Sequence, residues 1–225
     1  MKKLLIAIDG PAGSGKSTVS RLIAERLGLL YLDTGAMYRA AALQAQRNGI
    51  DFSDGQGLFN MCMELDLKFI PDGNNQKILI GNEDITSAIR SPAMDMLASR
   101  ISAVKEVREA MMMLQRKIGM TSDGLVAEGR DMGTTVFPDA EHKFYITASV
   151  PERAKRRYLE RFNRGESVSI EKVEEELKKR DAQDSGRSIA PLRPADDAEI
   201  IDTTGIDINQ VIEDITKKIN IKAKI

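Results

Sequence analysis

The chain has 225 residues, enough for one good-sized domain or two small ones with a core that buries most of its apolar surface. With 42 % hydrophobic and 30 % charged residues its balance is that of an ordinary globular protein, which excludes a disordered chain. Thirty-three Lys and Arg against 34 Asp and Glu leave a net charge of −1, so no global field draws it onto nucleic acid or an anionic membrane; the lone Cys62 and lone His142 exclude an intramolecular disulfide and a zinc site made from the pair.

The first apolar run, Leu4-Leu5-Ile6-Ala7-Ile8, ends at Asp9, too short for a membrane span or a signal segment, so a cytoplasmic protein is expected. The run reads as a strand buried on both faces. Val19, Leu22, Ile23 and Leu27 then recur at helical spacing until Gly28, and Leu29 to Leu32 reads as a second strand. Residues 36–47 look helical and end at Asn48-Gly49, whereas Asp54-Gly55-Gln56-Gly57 reads as polar loop. Between 65 and 86 two short apolar runs flank Pro71-Asp72-Gly73-Asn74-Asn75, the pattern of an inserted antiparallel hairpin.

Ser91-Pro92 supplies an N-cap and a first helical residue for a helical stretch that breaks near Val104 and ends at Gly119. Leu125-Val126-Ala127 and Lys143-Phe144-Tyr145-Ile146 are further buried strands, followed by charged helices over 151–163 and 169–182 and a last strand at Glu199-Ile200-Ile201-Asp202. Asp207 with Gln210 forms a capping-box signal for a closing helix whose apolar face carries Ile208, Val211, Ile212, Ile215 and Ile219. Strands alternating with helices predict an α/β fold with a mostly parallel sheet, taken as one domain over 1–225.

Gly10-Pro11-Ala12-Gly13-Ser14-Gly15-Lys16-Ser17 fits G-x-x-x-x-G-K-[ST], a pattern that chance produces in roughly one chain in a hundred of this length at average residue frequencies. It lies between a buried strand and a periodic helix, where the chemistry needs it. Glycines let backbone N–H groups turn inward around phosphates, and the helix N-terminus adds positive dipole. Lys16 is expected to reach the β- and γ-phosphates of a nucleoside triphosphate and Ser17 to ligand Mg²⁺. The guanine-reading N-K-x-D of GTPases is absent. Glu128, Arg130 and Asp131, just past an apolar run, belong instead in the ligand crevice at a strand's carboxyl end.

Four blocks occur in order: Gly10 to Thr18; Leu32-Asp33-Thr34-Gly35-Ala36-Met37-Tyr38-Arg39; Gly129-Arg130-Asp131-Met132-Gly133-Thr134 with Val136-Phe137-Pro138-Asp139-Ala140; and Arg180-Asp181 with Asp184, Arg187 and Ala190-Pro191-Leu192. Together they resemble the bacterial cytidylate kinases over nearly the whole chain, with Glu128 where many relatives carry Asp. The resemblance implies a P-loop nucleoside monophosphate kinase fold. That fold has a five-stranded parallel sheet with helices on both faces, an inserted acceptor-binding segment (36–100, including the hairpin) and a short lid (151–187). It implies transfer of the γ-phosphoryl group of ATP to CMP or dCMP in pyrimidine nucleotide metabolism, with Mg²⁺, by a monomer without nucleic-acid or membrane partners.

The resemblance also distributes roles. Gly10, Pro11, Ala12, Gly13, Ser14, Gly15, Lys16, Ser17 and Thr18 cradle ATP. Arg39, Arg130 and Arg187 hold the acceptor's phosphate, a task suited to the bidentate guanidinium. Ser99, Arg108 and Asp131 read cytosine, Thr34, Arg180 and Asp184 surround the ribose, and Tyr38 lies in the same acceptor block. Arg153 and Arg157 are lid cations closing on ATP. They begin a stripe continued by Arg161 and Arg164, while Lys155, Arg156 and Glu160 read as a solvated face. With Lys16, Arg130 and Arg187 they form the expected catalytic set, because phosphoryl transfer rests on positioning and on cations around the moving group. A P-loop kinase for another acceptor such as UMP is the alternative, and a nucleotide-gated binding protein is a more distant one. His142 reads as structural, Cys62 as a small buried hydrophobe, and Met111, Met112, Met113 and Met120 as adaptable core.

Overall fold

The computed structural model describes residues 3–73 and 75–222. In chain order the elements are β1 (Leu4–Asp9), α1 (Lys16–Leu27), β2 (Leu30–Asp33), α2 (Thr34–Arg47), α3 (Gly55–Met63), β3 (Leu67–Asp72), β4 (Asn75–Ile80) and β5 (Glu83–Asp84). A short 3₁₀ turn (Ala88–Arg90) leads to α4 (Pro92–Ile101), α5 (Lys105–Thr121) and β6 (Gly124–Gly129). A single π-type turn (Met132–Val136) precedes β7 (His142–Thr147), α6 (Val150–Asn163), α7 (Ile170–Ser185), β8 (Glu199–Asp202) and α8 (Ile208–Lys222). The chain divides into one compact unit of Met1–Tyr31 with Ser122–Ile225 and a second of Leu32–Thr121.

The first unit is built on the five-stranded sheet, in the order β2-β6-β1-β7-β8, with β1 parallel to β6 and β7, and β7 parallel to β8. Alternation along three neighbouring strands explains its core. Ile6 and Ile8 of β1, Val126 of β6, and Phe144 and Ile146 of β7 point to one face, where they pack with Val19 and Ile23 of α1 and Val211, Ile212, Ile215 and Ile219 of α8. Ala7, Leu125 and Ala127 on the opposite face are buried as well, so β1 and β6 are apolar on both sides as the sequence requires. A smaller cluster, Ala154 of α6 with Val173 and Leu177 of α7, pins these two helices beside Ala12. From β1 the chain runs to β2 at one edge of the sheet, whereas from its neighbour β7 it runs to β8 at the other, so the winding reverses between them. That is the switch point outside which such sheets bind ligands.

In the second unit α2 buries Met37 and the alanines Ala36, Ala40, Ala41, Ala42 and Ala45, and it packs against α4. The expected hairpin is present as β3 and β4, joined at Gly73, and a third short strand, β5, extends it. Pro71 sits within the ladder, and β3 is an edge strand, where a residue without an N–H is tolerated. The helical break near Val104 is also present, between α4 and α5.

Three local expectations change. Residues 55–63, whose first part reads as loop, form α3: the Asp54 carboxylate accepts the Gly57 N–H (2.9 Å), and Leu58, Met61 and Cys62 bury one face at helical spacing. Gly55 and Gly57 hide this helix from propensity. β2 begins at Leu30 instead of Leu29, because the Leu29 N–H closes on the Ala24 carbonyl (2.8 Å) in the C-cap of α1 around Gly28 (φ 65°). At the start of α8, Asp207 accepts the Asn209 N–H (2.9 Å), so its side chain caps the helix through Asn209.

Candidate active site

The loop after β1 keeps its glycines because no other residue fits. Gly10, Gly13 and Gly15 have φ of 152°, 77° and 87°. A Cβ on Gly10 would fall 2.0 Å from the Ile146 carbonyl oxygen of β7, and one on Gly13 would fall 3.1 Å from Arg153. Pro11, Ala12 and Ser14 are buried beneath the loop, whereas Ser17 and Thr18 are exposed in the first turn of α1. No side chain caps α1: Gly15 stands at the cap, so the amide donors at the head of this helix are left for a ligand. The buried Lys16 Nζ donates to the Pro11 carbonyl (3.3 Å), folded over the loop it is expected to serve.

Asp9, the last residue of β1, is only 3 % exposed and accepts the backbone N–H groups of Met132 and Gly133, each at 2.8 Å. Burial pushes its carboxyl up to about 6 against these two bonds; the charge of Asp131 adds to the rise and that of Arg130 opposes it. Met132 and Gly133 open the π-type turn, whose later N–H groups reach back five residues, Val136 to the Asp131 carbonyl (3.1 Å) and Phe137 to that of Met132 (2.7 Å). Glu128, also buried, accepts the Tyr31 hydroxyl (2.9 Å).

Arg130 and Arg187 converge on one carboxylate. Arg130 Nε donates to Asp184 Oδ2 (2.8 Å) and Arg187 Nη2 to Asp184 Oδ1 (2.5 Å), with Asp184 only 1 % exposed. Burial favours the neutral acid, but the charges of Arg130, Arg187 and Arg180 outweigh it and hold Asp184 below the usual carboxylate range. Asp184 thus meets the two cations expected to grip the acceptor's phosphate, besides lying where a ribose contact is expected.

The arginines of α6 differ from one another. Arg153 is buried, with Nε donating to the Ala148 carbonyl (2.9 Å), Nη1 to the Ala12 carbonyl (3.1 Å) and Nη2 to Asp181 (2.7 Å). It ties the loop to α6 and α7. Arg157 pairs with Glu160, Arg161 with Glu166 and Glu176, and Arg164 with Glu160, near the surface. Arg156, expected on the solvated face, instead donates from Nη1 to the Ser14 carbonyl (3.3 Å) and from Nη2 to the Thr203 carbonyl (2.7 Å). Its place one residue off the stripe turns it toward the loop. Asp9, Arg156, Asp181 and Thr203 are the site residues that sequence reasoning passed over; for Asp9 a signal existed, a charge at the end of a buried strand directly before Gly10.

The remaining candidates lie in the second unit. Thr34 is buried at the start of α2, where Asp33 caps the helix by accepting the Ala36 N–H (2.8 Å) and pairs with Arg39 (3.1 Å). Arg39 also lies 3.9 Å from Asp95 of α4. Arg108 is buried in α5 with its guanidinium 5.9 Å from the centre of the Tyr38 ring and Nη1 donating to the Ser102 carbonyl (3.3 Å). Ser99 is half-buried on α4. Tyr38 and Arg108 therefore meet, as do Asp33 and Arg39. Among the described residues no helix is long and apolar enough to cross a membrane.

Comparison with known proteins places this geometry. The profile of the family described as cytidylate kinase matches residues 6–221. The cytidylate kinase of Citrifermentans bemidjiense is 49 % identical over 210 residues, 93 % of this chain and 90 % of that protein. That of Streptococcus gordonii is 45 % identical over 219 residues, 97 % of each. Among solved structures, the crystal structure of an uncharacterized protein from Eubacterium ventriosum aligns with a TM-score of 0.55 and 14 % identity over 97 % of this chain and 99 % of that one, a likeness of fold alone. With the phosphate loop, the parallel sheet and the profile all running through the same residues, the chain belongs to the cytidylate kinase family.

Proposed function

We propose that the loop Gly10–Thr18 holds ATP and that Arg130 and Arg187 hold the phosphate of CMP or dCMP, so that the γ-phosphoryl group passes between them. The observation that carries this reading is the loop itself: three glycines at positive φ before a helix that no side chain caps, an arrangement that leaves the amide donors at the head of α1 to face an anion. Membership of the cytidylate kinase family supports the acceptor.

In the reaction an oxygen of the acceptor's phosphate attacks the γ-phosphorus of ATP, the bond to the β-phosphate oxygen breaks, and ADP departs with that electron pair. Charge spreads over the moving group, and cations fixed around it lower the barrier. Lys16 leaves the Pro11 carbonyl and pairs with the β- and γ-phosphates. Arg130 and Arg187 exchange Asp184 for the acceptor's phosphate; the role of Arg39, in the second unit, rests on the family resemblance alone. Asp131 accepts from the cytosine amino group, and Arg180 and Asp184 contact the ribose; in the second unit Arg108 and Ser99 are the base-reading candidates and Thr34 the ribose-contacting one. As lid cations Arg153 and Arg157 are unequal: Arg157 gives up only an exposed pairing, whereas Arg153 must release Asp181 or a loop carbonyl.

The donors present suit Mg²⁺. Ser17 offers one exposed, hard hydroxyl oxygen at the loop, and a nucleotide-borne Mg²⁺ takes its other ligands from phosphate and water. When bound, the ion neutralises charge on the β- and γ-oxygens.

A coupled ADP-release assay over the common nucleoside monophosphates tests the reading. CMP and dCMP should turn over well ahead of UMP, AMP and GMP. Equal rates with UMP would overturn the role given to Asp131.

A further inference from the structure

We propose that Asp9 is a positioning residue for the acceptor side of the reaction: its carboxylate clamps the backbone of Met132 and Gly133 and thereby fixes the chain from which Arg130 and Asp131 project. The inference rests on the reading above, in which those two side chains grip the acceptor. Its own basis is the two 2.8 Å bonds that join residues 123 and 124 positions apart in sequence.

A π-type turn begins with N–H groups that have no acceptor inside the turn, and buried orphans of this kind must be satisfied from elsewhere. The residue at the cap position, Asp131, makes no side-chain cap bond. Asp9 caps the turn in its place, one carboxylate oxygen to each N–H. Asp131 is thereby spared a structural duty that would turn its carboxylate back toward its own backbone.

The groups around Asp9 are Arg130 and Asp131 beyond β6, Tyr145 opposite it in the β1–β7 ladder, and Lys143, itself paired with Asp197. Asp9 also precedes Gly10, so a role in holding the ATP loop is the rival explanation. Separate Michaelis constants distinguish the two.

The experiment is steady-state kinetics on Asp9→Asn, which keeps the shape but turns one acceptor into a donor facing an N–H. The expected result is a KM for CMP raised about tenfold or more, with the KM for ATP within about twofold of the parent, as befits one lost charge-assisted contact. An unchanged KM for CMP, or an equal rise for ATP, would overturn the inference. Asp131→Ala in the same assay keeps the two levels apart. If it leaves the preference for CMP over UMP intact, the underlying reading fails; if it abolishes the preference while Asp9→Asn leaves KM unchanged, only the Asp9 inference fails.

Should Asp9→Asn not fold, nucleotide-free parent protein carries the test, since phosphate itself titrates near pH 6. In NMR the Met132 and Gly133 amide resonances should shift together with a midpoint near 6, the value to which burial raises Asp9. Two amides that shift with unequal midpoints, or that show no carboxylate titration over the whole acid range in which the protein stays folded, would contradict the clamp.

Discussion

The loop proposed to hold ATP and two of the proposed acceptor arginines, Arg130 and Arg187, lie in one unit but are held by different means. Around the loop the restraints are mostly backbone: glycines at positive φ, and an Arg153 that reaches the Ala12 and Ala148 carbonyls, besides the Asp181 carboxylate, from a site 4 % exposed. At the acceptor end Arg130 and Arg187 rest on a side chain, Asp184. A carbonyl fixed in the fold cannot be exchanged without moving the chain, whereas a carboxylate–arginine contact can be traded for a phosphate–arginine contact of the same geometry. On the proposed reading, the difference teaches that the donor cradle is shaped before any ligand arrives, while Arg130 and Arg187 are kept paired, and so not left as uncompensated buried charge, until the acceptor's phosphate replaces Asp184.

The comparison breaks first at Lys16. Lys16→Ala should lower turnover by about 10²–10³-fold or more, because one cation aimed at the transferring group is lost. The thermal midpoint without nucleotide should stay unchanged, since the Lys16 side chain lies over the loop, where it donates to the Pro11 carbonyl, and not in the apolar core. A large fall in that midpoint would make Lys16 a structural residue of the cradle.

The claim that the cradle is set by backbone is sharpened by two glycines. Gly10→Ala puts a Cβ 2.0 Å from the Ile146 carbonyl, whereas Gly28→Ala at the end of α1 meets nothing within 4 Å and bears only the strain of φ 65°. Urea unfolding should give a loss of more than about 3 kcal/mol for the first and about 1–2 kcal/mol for the second. Equal losses would remove close approach as the reason for Gly10.

Much of this was legible in the sequence because the signals are local. The run Leu4–Ile8, the spacing of Val19, Leu22, Ile23 and Leu27, and Gly28 specify β1, α1 and its end without reference to the rest of the chain. The loop glycines are readable for the same reason. What was hidden depends on distance in sequence. Nothing near Asp9 announces that its partners are Met132 and Gly133, and nothing near Arg156 separates it from the solvated arginines of α6 except that β8 ends beside it and brings Thr203 within reach. Helix α3 was concealed by glycines at its first and third positions, whose cost is met by tertiary burial of Leu58, Met61 and Cys62.

The central claim, that the end of β6 both holds the acceptor's phosphate and reads its base, is tested most directly by the ratio of catalytic efficiencies for CMP and UMP in Asp131→Ala. Loss of a buried charge-assisted contact costs about 2–5 kcal/mol, so efficiency with CMP should fall by a few tens to a few thousandfold. UMP presents a carbonyl where CMP presents an amino group, and a carboxylate repels it. Its efficiency should therefore fall far less or rise, and the preference for CMP should collapse. If CMP and UMP lose efficiency by the same factor, Asp131 does not read the base and the account of the acceptor site is wrong.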